Sequence, residues 1–416
     1  MRVATKELIG IKSVGTGVND TIPTNESSTG LRISLLGQTV LLLLPVLLFF
    51  GIAEMGSRLY ERAHPVLQVD IGQGFDEKSL LFQAASDGFM ETRPEKSVSF
   101  QLQRFQMPKG QGCLRIFALG GSSVNYLNYE FSEMARELQQ TFSSLFDRVE
   151  VINCGGLSYG THRLVLIASE IMRYQPDLVL LYSGHNEFEE LQQMHLSLQS
   201  YTGVQKILGK SAFYRLIRDL RARQAIARLE ESHLAREVAQ SIPDSSKTWE
   251  MVFTPEEISG RMAAYKNNLS VMIRQCREAG IPVVIGTVPS NLIRPNLPGS
   301  DGVRYEEVLR LYEDGAYEEA LELGTLILAE ASPRHQSSRV ENSVIRELAQ
   351  VFEVPLVDVE QAVRAAEPHG IPGETLFSDH CHLNEAGNRI LRTHYQQVIT
   401  ELLRGLYAQE PPLGIQ

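Results

Sequence analysis

LRIFALGGSSVN, residues 114–125, is an apolar run of strand length that ends in two glycines and two serines. A short apolar run closed by a turn signal reads as a buried strand. The glycines let the backbone turn sharply and present the next hydroxyl at the strand's carboxyl end, where open α/β sheets place their sites. Four more runs follow: VEVIN (149–153), DLVLLYS (177–183), IPVVIGT (281–287) and PLVDV (355–359). Between the first two, Phe131, Met134, Ala135, Leu138, Phe142 and Leu145 fall on one face at helical spacing, which predicts a helix covering the sheet. Strands alternating with helices specify an α/β class with a parallel sheet.

Two intervals exceed simple crossovers and read as helical insertions, at about 188–280 and 290–345. In the first, SAFYRLIRDLRARQAIARL (211–229) puts Phe213, Leu216, Ile217 and Leu220 on one side and Arg215, Arg218, Arg221 and Arg223 largely elsewhere. That pattern fits a helix packed on the domain with a solvated basic face, and also one lying on an anionic membrane. In the second, RYEEVLRLYEDGAYEEALELGTLIL (304–328) has the look of one tetratricopeptide-type unit turning at Gly315. One unit cannot form a solenoid, so a helical hairpin beside the sheet is expected.

Towards the N-terminus, residues 33–53 (ISLLGQTVLLLLPVLLFFGIA) carry no charge. About 20 such residues span a bilayer as a helix, and a proline is tolerated there. A cleaved signal peptide is the rival reading, but the leading segment is long for one. Arg2, Lys6, Lys12 and Arg32 before the segment against Arg58 and Arg62 after it favour a cytoplasmic N-terminus, with the bulk of the chain extracytoplasmic. The expected organisation is a disordered cytoplasmic tail (1–32), a transmembrane anchor (33–53), a neck and lead-in of unassigned structure (54–112) and a main domain (113–408). A net charge of -11 argues against a nucleic-acid partner. The cysteines, Cys113, Cys154, Cys276 and Cys381, are too sparse for a disulfide scaffold, and Cys154 and Cys381 stand in motifs that can bring them together, paired or free.

The chemistry-bearing residues stand at strand ends. Gly120-Gly121-Ser122 closes the first strand, but it is neither a dinucleotide fingerprint, nor a P-loop, nor a G-x-S-x-G elbow, and alone it suits a phosphate-binding turn or a plain loop equally. VINCGGLSYGTHR (151–163) runs from a strand into a small-residue turn whose amides can face a developing oxyanion. LYSGHNEF (181–188) offers the Asn186 amide, and LFSDHCHLNEAGN (376–388) places Asp379 three residues before His382. That spacing lets a carboxylate fix the imidazole tautomer of a general base. Metal binding by the Asp-His-Cys-His run is disfavoured because no second ligand cluster accompanies it.

In this order, the four pieces resemble the four blocks of the SGNH hydrolases, the GDSL-like lipase and esterase family, over roughly residues 113–187 and 281–405. The resemblance implies a three-layer, flavodoxin-like parallel sheet and an esterase that needs no cofactor or metal. It implies Ser122 as nucleophile with His382 and Asp379, and an oxyanion hole from the Ser122 N–H, a second-block N–H and Asn186. Two departures stand out: Gly121 replaces the aspartate that usually precedes the serine, and counting from Asn153 puts the family's second-block glycine at Ser158, with Gly155 and Gly156 nearby. Gly156 is the expected donor. Ser123 is the competing nucleophile, and Asn291 in TVPSN (287–291) is a candidate substrate contact. His162, Arg163, His185 and His380 lie near the site by motif as structural or substrate-facing residues. The substrate class is a small-molecule or glycan ester. An O-acyltransferase acting on an envelope glycan would use the same residues, and a non-catalytic membrane-tethered scaffold using the hairpin to bind a partner is the third reading.

Overall fold

The order of the strands is set by how the apolar runs pair. A computed structural model describes residues 35–63, 80–97, 99–189, 211–217, 220, 253–297, 299–331 and 334–408. The first helix, α1 (Leu35–Ala63), contains Pro45 and displays Leu43, Leu47, Phe49, Phe50 and Ile52 on its surface. Its stretch Leu43–Tyr60 is long and apolar enough to cross a membrane. The helix outruns the apolar segment at its C-terminal end, because good helix formers continue past Ala53. The expected tail at 1–32 lies outside the described residues, as do residues 221–229 of the basic segment.

A three-stranded antiparallel meander follows: β1 (Phe82–Ala84), β2 (Phe89–Thr92) and β3 (Arg104–Gln106). The sequence has no assignable pattern here, because strands this short show no readable alternation. The main sheet then comprises β4 (Cys113–Gly120), β5 (Arg148–Gly155), β6 (Leu178–Tyr182), β7 (Val283–Gly286) and β8 (Leu356–Val357). Its order is β5-β4-β6-β7-β8, all parallel, which is the expected flavodoxin-like arrangement. β8 is cut short because Asp358 turns the chain into the next helix, accepting a hydrogen bond from Gln361 N at 3.2 Å.

Helices cover both faces, as a central parallel sheet requires. On one face α10 (Glu385–Tyr407) packs against both α3 (Asn128–Thr141), which follows the short α2 (Ser122–Asn125), and α9 (Val359–Ala366). On the other lie α4 (Thr161–Ile171), α5 (Pro255–Glu278) and α8 (Arg339–Phe352). The expected inward residues of α3 hold: Phe131, Met134 and Leu138 are buried. α5 packs on α4 and β7, so the first insertion ends before residue 255, and its last part is the ordinary crossover helix. α6 (Ser300–Glu313) and α7 (Tyr317–Glu330) form the expected hairpin, with Gly315 at φ +79° in the turn. The hairpin has a small core of its own, in which Tyr305, Val308, Ile327 and Leu328 pack on Leu292 and Ile371.

Candidate active site

Register brings the first three motifs together. Gly120 at the end of β4 lies opposite Gly155 of β5 and Tyr182 of β6, so their following loops emerge side by side. Gly121 then caps α2, and Ser122 is the helix's first residue. First-turn N–H groups have no partner within a helix, so the Ser122 N–H is available to a ligand. Asn153 braces this one-turn helix: its Nδ2 donates to Val124 O and Asn125 O at 3.0 Å each, while its Oδ1 accepts from Gly155 N at 2.9 Å. A Cβ on Gly121 would strike Asn186 Nδ2. Any larger residue at position 121 would therefore have to displace the Asn186 amide from its present place.

The fourth motif reaches the serine from the other end of the chain. His382 Nε2 lies 2.7 Å from Ser122 Oγ, and His382 Nδ1 lies 2.6 Å from Asp379 Oδ2. Asp379 Oδ1 also accepts from Cys381 N at 2.8 Å and His382 N at 2.6 Å, so the carboxylate holds both its own loop and the imidazole. Burial pushes the Asp379 carboxyl up, but the His382 hydrogen bond, the charges of His382 and His380 and the Cys381 N–H outweigh it and hold the group well below the usual carboxylate range. Asn384 closes the motif by capping α10 through Ala386 N and Gly387 N.

Asn291, read as a substrate contact, is instead fully buried behind the loop. Its Nδ2 donates to Asp379 O at 3.0 Å, its N–H donates to His380 O at 3.1 Å, and its Oδ1 accepts from Ile293 N and Arg294 N. Ser123 Oγ is buried away from the imidazole. The cysteines are all free, Cys154 and Cys381 included. Cys381 Sγ stands 3.5 Å from His382 Nδ1, and burial pushes its thiol well up, so it is held as the neutral group. Asp379, Cys381 and His382 are close enough to be read as a metal cluster. However, Asp379 is already committed to its loop and the imidazole.

In the second block the expected donor changes. Gly156 N donates to Gly120 O at 3.0 Å, which extends the sheet pairing and takes that amide out of the turn. Leu157 N goes to Ser99 O and Tyr159 N to Gly156 O, leaving Ser158 N–H as the amide in this turn without such a bond. Ser158 sits at φ +61°, the left-handed region that favours glycine, at the position where counting from Asn153 put the family's glycine. Arg163, stacked 4.2 Å over the Tyr159 ring, donates to Ser158 O and holds that conformation. Asn186 Nδ2 donates to Tyr159 O at 3.1 Å, which leaves its second N–H for a ligand.

Solved structures of similar arrangement are esterases and lipases by name. A GDSL-like lipase from Bacteroides thetaiotaomicron is 12% identical with a TM-score of 0.36, over 69% of this chain and 88% of that one. A member of the lipolytic G-D-S-L family from Veillonella parvula gives 12% and 0.35, over 69% and 98%. An acetylxylan esterase from Geobacillus stearothermophilus gives 12% and 0.34, over 69% and 94%. No family model and no curated protein matches the sequence. At this distance no residue role carries across, and the roles rest on the site's own geometry.

Three elements of the site are missed by sequence reasoning. Tyr126, exposed, sets its ring edge-on to His382 at 5.1 Å between centroids and so flanks the imidazole. Glu187 is buried and accepts from Thr161 N and Thr161 Oγ1 at 2.9 Å each while pairing with Arg261, which anchors the loop after Asn186. The segment RHQSS (334–338) is wholly buried, and its Ser337 N donates to His185 Nδ1 at 3.0 Å. Glu187 stands within the LYSGHNEF motif, where nothing distinguishes it from a solvated loop carboxylate. The RHQSS run, polar yet between two helices, is the sequence signal that could have pointed to the third.

Proposed function

We propose that the chain is a membrane-anchored serine hydrolase that cleaves a carboxylic ester through an acyl-enzyme on Ser122. The observation that carries this is the continuous Ser122–His382–Asp379 relay, with 2.7 and 2.6 Å links. His382 takes the Ser122 proton as Oγ attacks the ester carbonyl, and Asp379 stabilises the imidazolium so formed. The tetrahedral oxyanion rests on Ser122 N–H, Ser158 N–H and the free N–H of Asn186. His382 then protonates the leaving alcohol. A water attacking the acyl-enzyme gives up its proton to the same imidazole, and the acid departs.

The apolar stretch Leu43–Tyr60 supports the anchor, and the basic residues before it favour an N-terminus in the cytoplasm and a hydrolase outside it. The test is labelling by a fluorophosphonate probe in wild type, Ser122→Ala and Ser123→Ala. Labelling is expected in wild type and Ser123→Ala and lost in Ser122→Ala. Loss only in Ser123→Ala would move the nucleophile, and a wild type that never labels would remove the reading. Product analysis with and without a sugar acceptor tells hydrolysis from acyl transfer.

A further inference from the structure

Behind the serine turn lies a small cavity of about 10 Å³, lined by Gly121, Ser123, Ser183, Gly184, His185, Asn186 and neighbouring apolar side chains. Ser123 Oγ, Ser183 Oγ and His185 Nε2 are buried at it without a hydrogen-bond partner in the protein. A fourth such atom, Ser337 Oγ, stands against Gly184, where an added Cβ would meet it at 3.0 Å. His185 is 5% exposed and Ser183 8%. Buried polar atoms are nearly always satisfied, and leaving one unmade costs about 1–3 kcal/mol. Several on one cavity wall therefore mark a ligand, not a packing fault.

The chemistry of that ligand follows from the donors. His185 Nδ1 accepts the Ser337 N–H at 3.0 Å, so the neutral ring carries its proton on Nε2, which makes Nε2–H the donor at the cavity. Burial, together with the charges of His382 and His380, pushes this imidazole down to about 3, so it stays neutral. The two serine hydroxyls can each donate or accept. The occupant must accept from an imidazole N–H and exchange hydrogen bonds with two hydroxyls. The volume is that of about one water, which needs roughly 10–15 Å³ and two to four polar partners. An acetyl group or a carboxylate does not fit.

We propose that this cavity holds one structural water, bound by His185 Nε2–H, Ser123 Oγ and Ser183 Oγ, which pins the Ser122 turn to the Asn186 loop and so sets the spacing of the oxyanion donors. Ser123 and Ser183 stand on the two segments that supply the Ser122 N–H and the Asn186 amide. A shared water is a fixed link between them, and bridging waters are nearly as good enthalpically as direct bonds. The role given to the donors rests on the serine-hydrolase reading above. The water itself does not.

Two measurements on the full-length protein in detergent test this. A crystal structure resolving ordered solvent should show one peak within hydrogen-bond distance of His185 Nε2 and both hydroxyls. An empty or collapsed cavity would overturn the proposal, whatever the enzyme's activity. With p-nitrophenyl acetate, Ser183→Ala should lower kcat on the order of 10-fold with KM nearly unchanged. The Ser183→Ala/Asn186→Ala double variant should be hardly slower than Asn186→Ala alone, because the water acts through that donor. Additive losses, or a Ser183→Ala enzyme with wild-type kcat, would refute the positioning role. A wild type that neither turns over nor labels would sink the hydrolase reading while leaving the solvent peak to be judged by itself.

Discussion

At the residue scale the site depends on where charge and amides are committed. Asp379 is ionised over the whole neutral and mildly acidic range, since its carboxyl is held below the usual value of 3.8. Asp379→Asn should cut kcat for p-nitrophenyl acetate by about 10³–10⁴-fold with binding little changed, because the amide cannot support an imidazolium. Acidification from pH 7 to 5 should cost the wild type nothing through Asp379 itself. Ser158 gives a second test. A non-glycine residue in the left-handed region costs about 1–2 kcal/mol, part of which glycine gives back as unfolded-chain entropy. Ser158→Gly should therefore stabilise by about 0.5–1 kcal/mol in urea denaturation and keep its activity, since the N–H remains. Lost activity would show that the hydroxyl is needed. The grouping of Ser122, Asn186, Asp379 and His382 was legible because Ser122 and Asn186 follow strand ends, whereas Asp379 and His382, expected at a strand end too, stand in the loop before the last helix and were marked by their spacing alone. The second-block donor was not, because which amide the sheet consumes depends on the Gly156–Gly120 bond, and pairing of that kind leaves no mark on composition.

At the scale of elements, the meander shows what sequence patterning cannot reach. Its strands of three or four residues are held from outside: Glu170 of α4 accepts from Leu81 N at 2.6 Å and Phe82 N at 2.9 Å, and from Tyr174 Oη at 2.9 Å. Arg115, fully buried on β4, reaches across to Gln106 O and Tyr174 O at 2.7 Å each and pairs with Glu150. Glu170 lies 89 and 88 residues from the Leu81 and Phe82 amides it holds, so residues 54–112 carried no readable pattern of their own. The five strands of the main sheet did, because strands buried on both faces are continuous apolar runs. Glu170→Ala orphans two buried N–H groups and a phenol. It should cost on the order of 3 kcal/mol in urea denaturation, with Glu170→Gln losing less because it keeps an acceptor. A neutral Glu170→Ala would mean the meander is held by its apolar contacts alone, such as Phe82 against Phe105.

For the molecule as a whole, the buried groups near the site set the response to acid. His185 titrates at about 3 in the folded protein against an ordinary value of 6.5, through burial first and then the neighbouring histidine charges. Its folded pKa is depressed, so the unfolded chain binds its proton first on acidification. The stability it contributes is complete above about pH 6.5 and is lost as pH falls toward 3. Asp379 adds to this only below its ordinary 3.8. Glu170 works the other way: its carboxyl is raised above 4.5 by burial, against the pull of the Leu81 and Phe82 amides, so its contribution grows as pH falls through that range. Between pH 6.5 and 5, His185 therefore changes stability more than Asp379 does, and Glu170 acts in the opposite direction. Unfolding free energy from urea titrations should decline across that interval with a slope approaching about 1.4 kcal/mol per pH unit from this group. In His185→Asn, which has no imidazole to protonate, that part of the slope should vanish even if the variant is less stable throughout. Equal slopes for the two proteins would mean that His185 takes up its proton in the folded state, and that the Nε2–H donor facing the cavity belongs to an imidazolium.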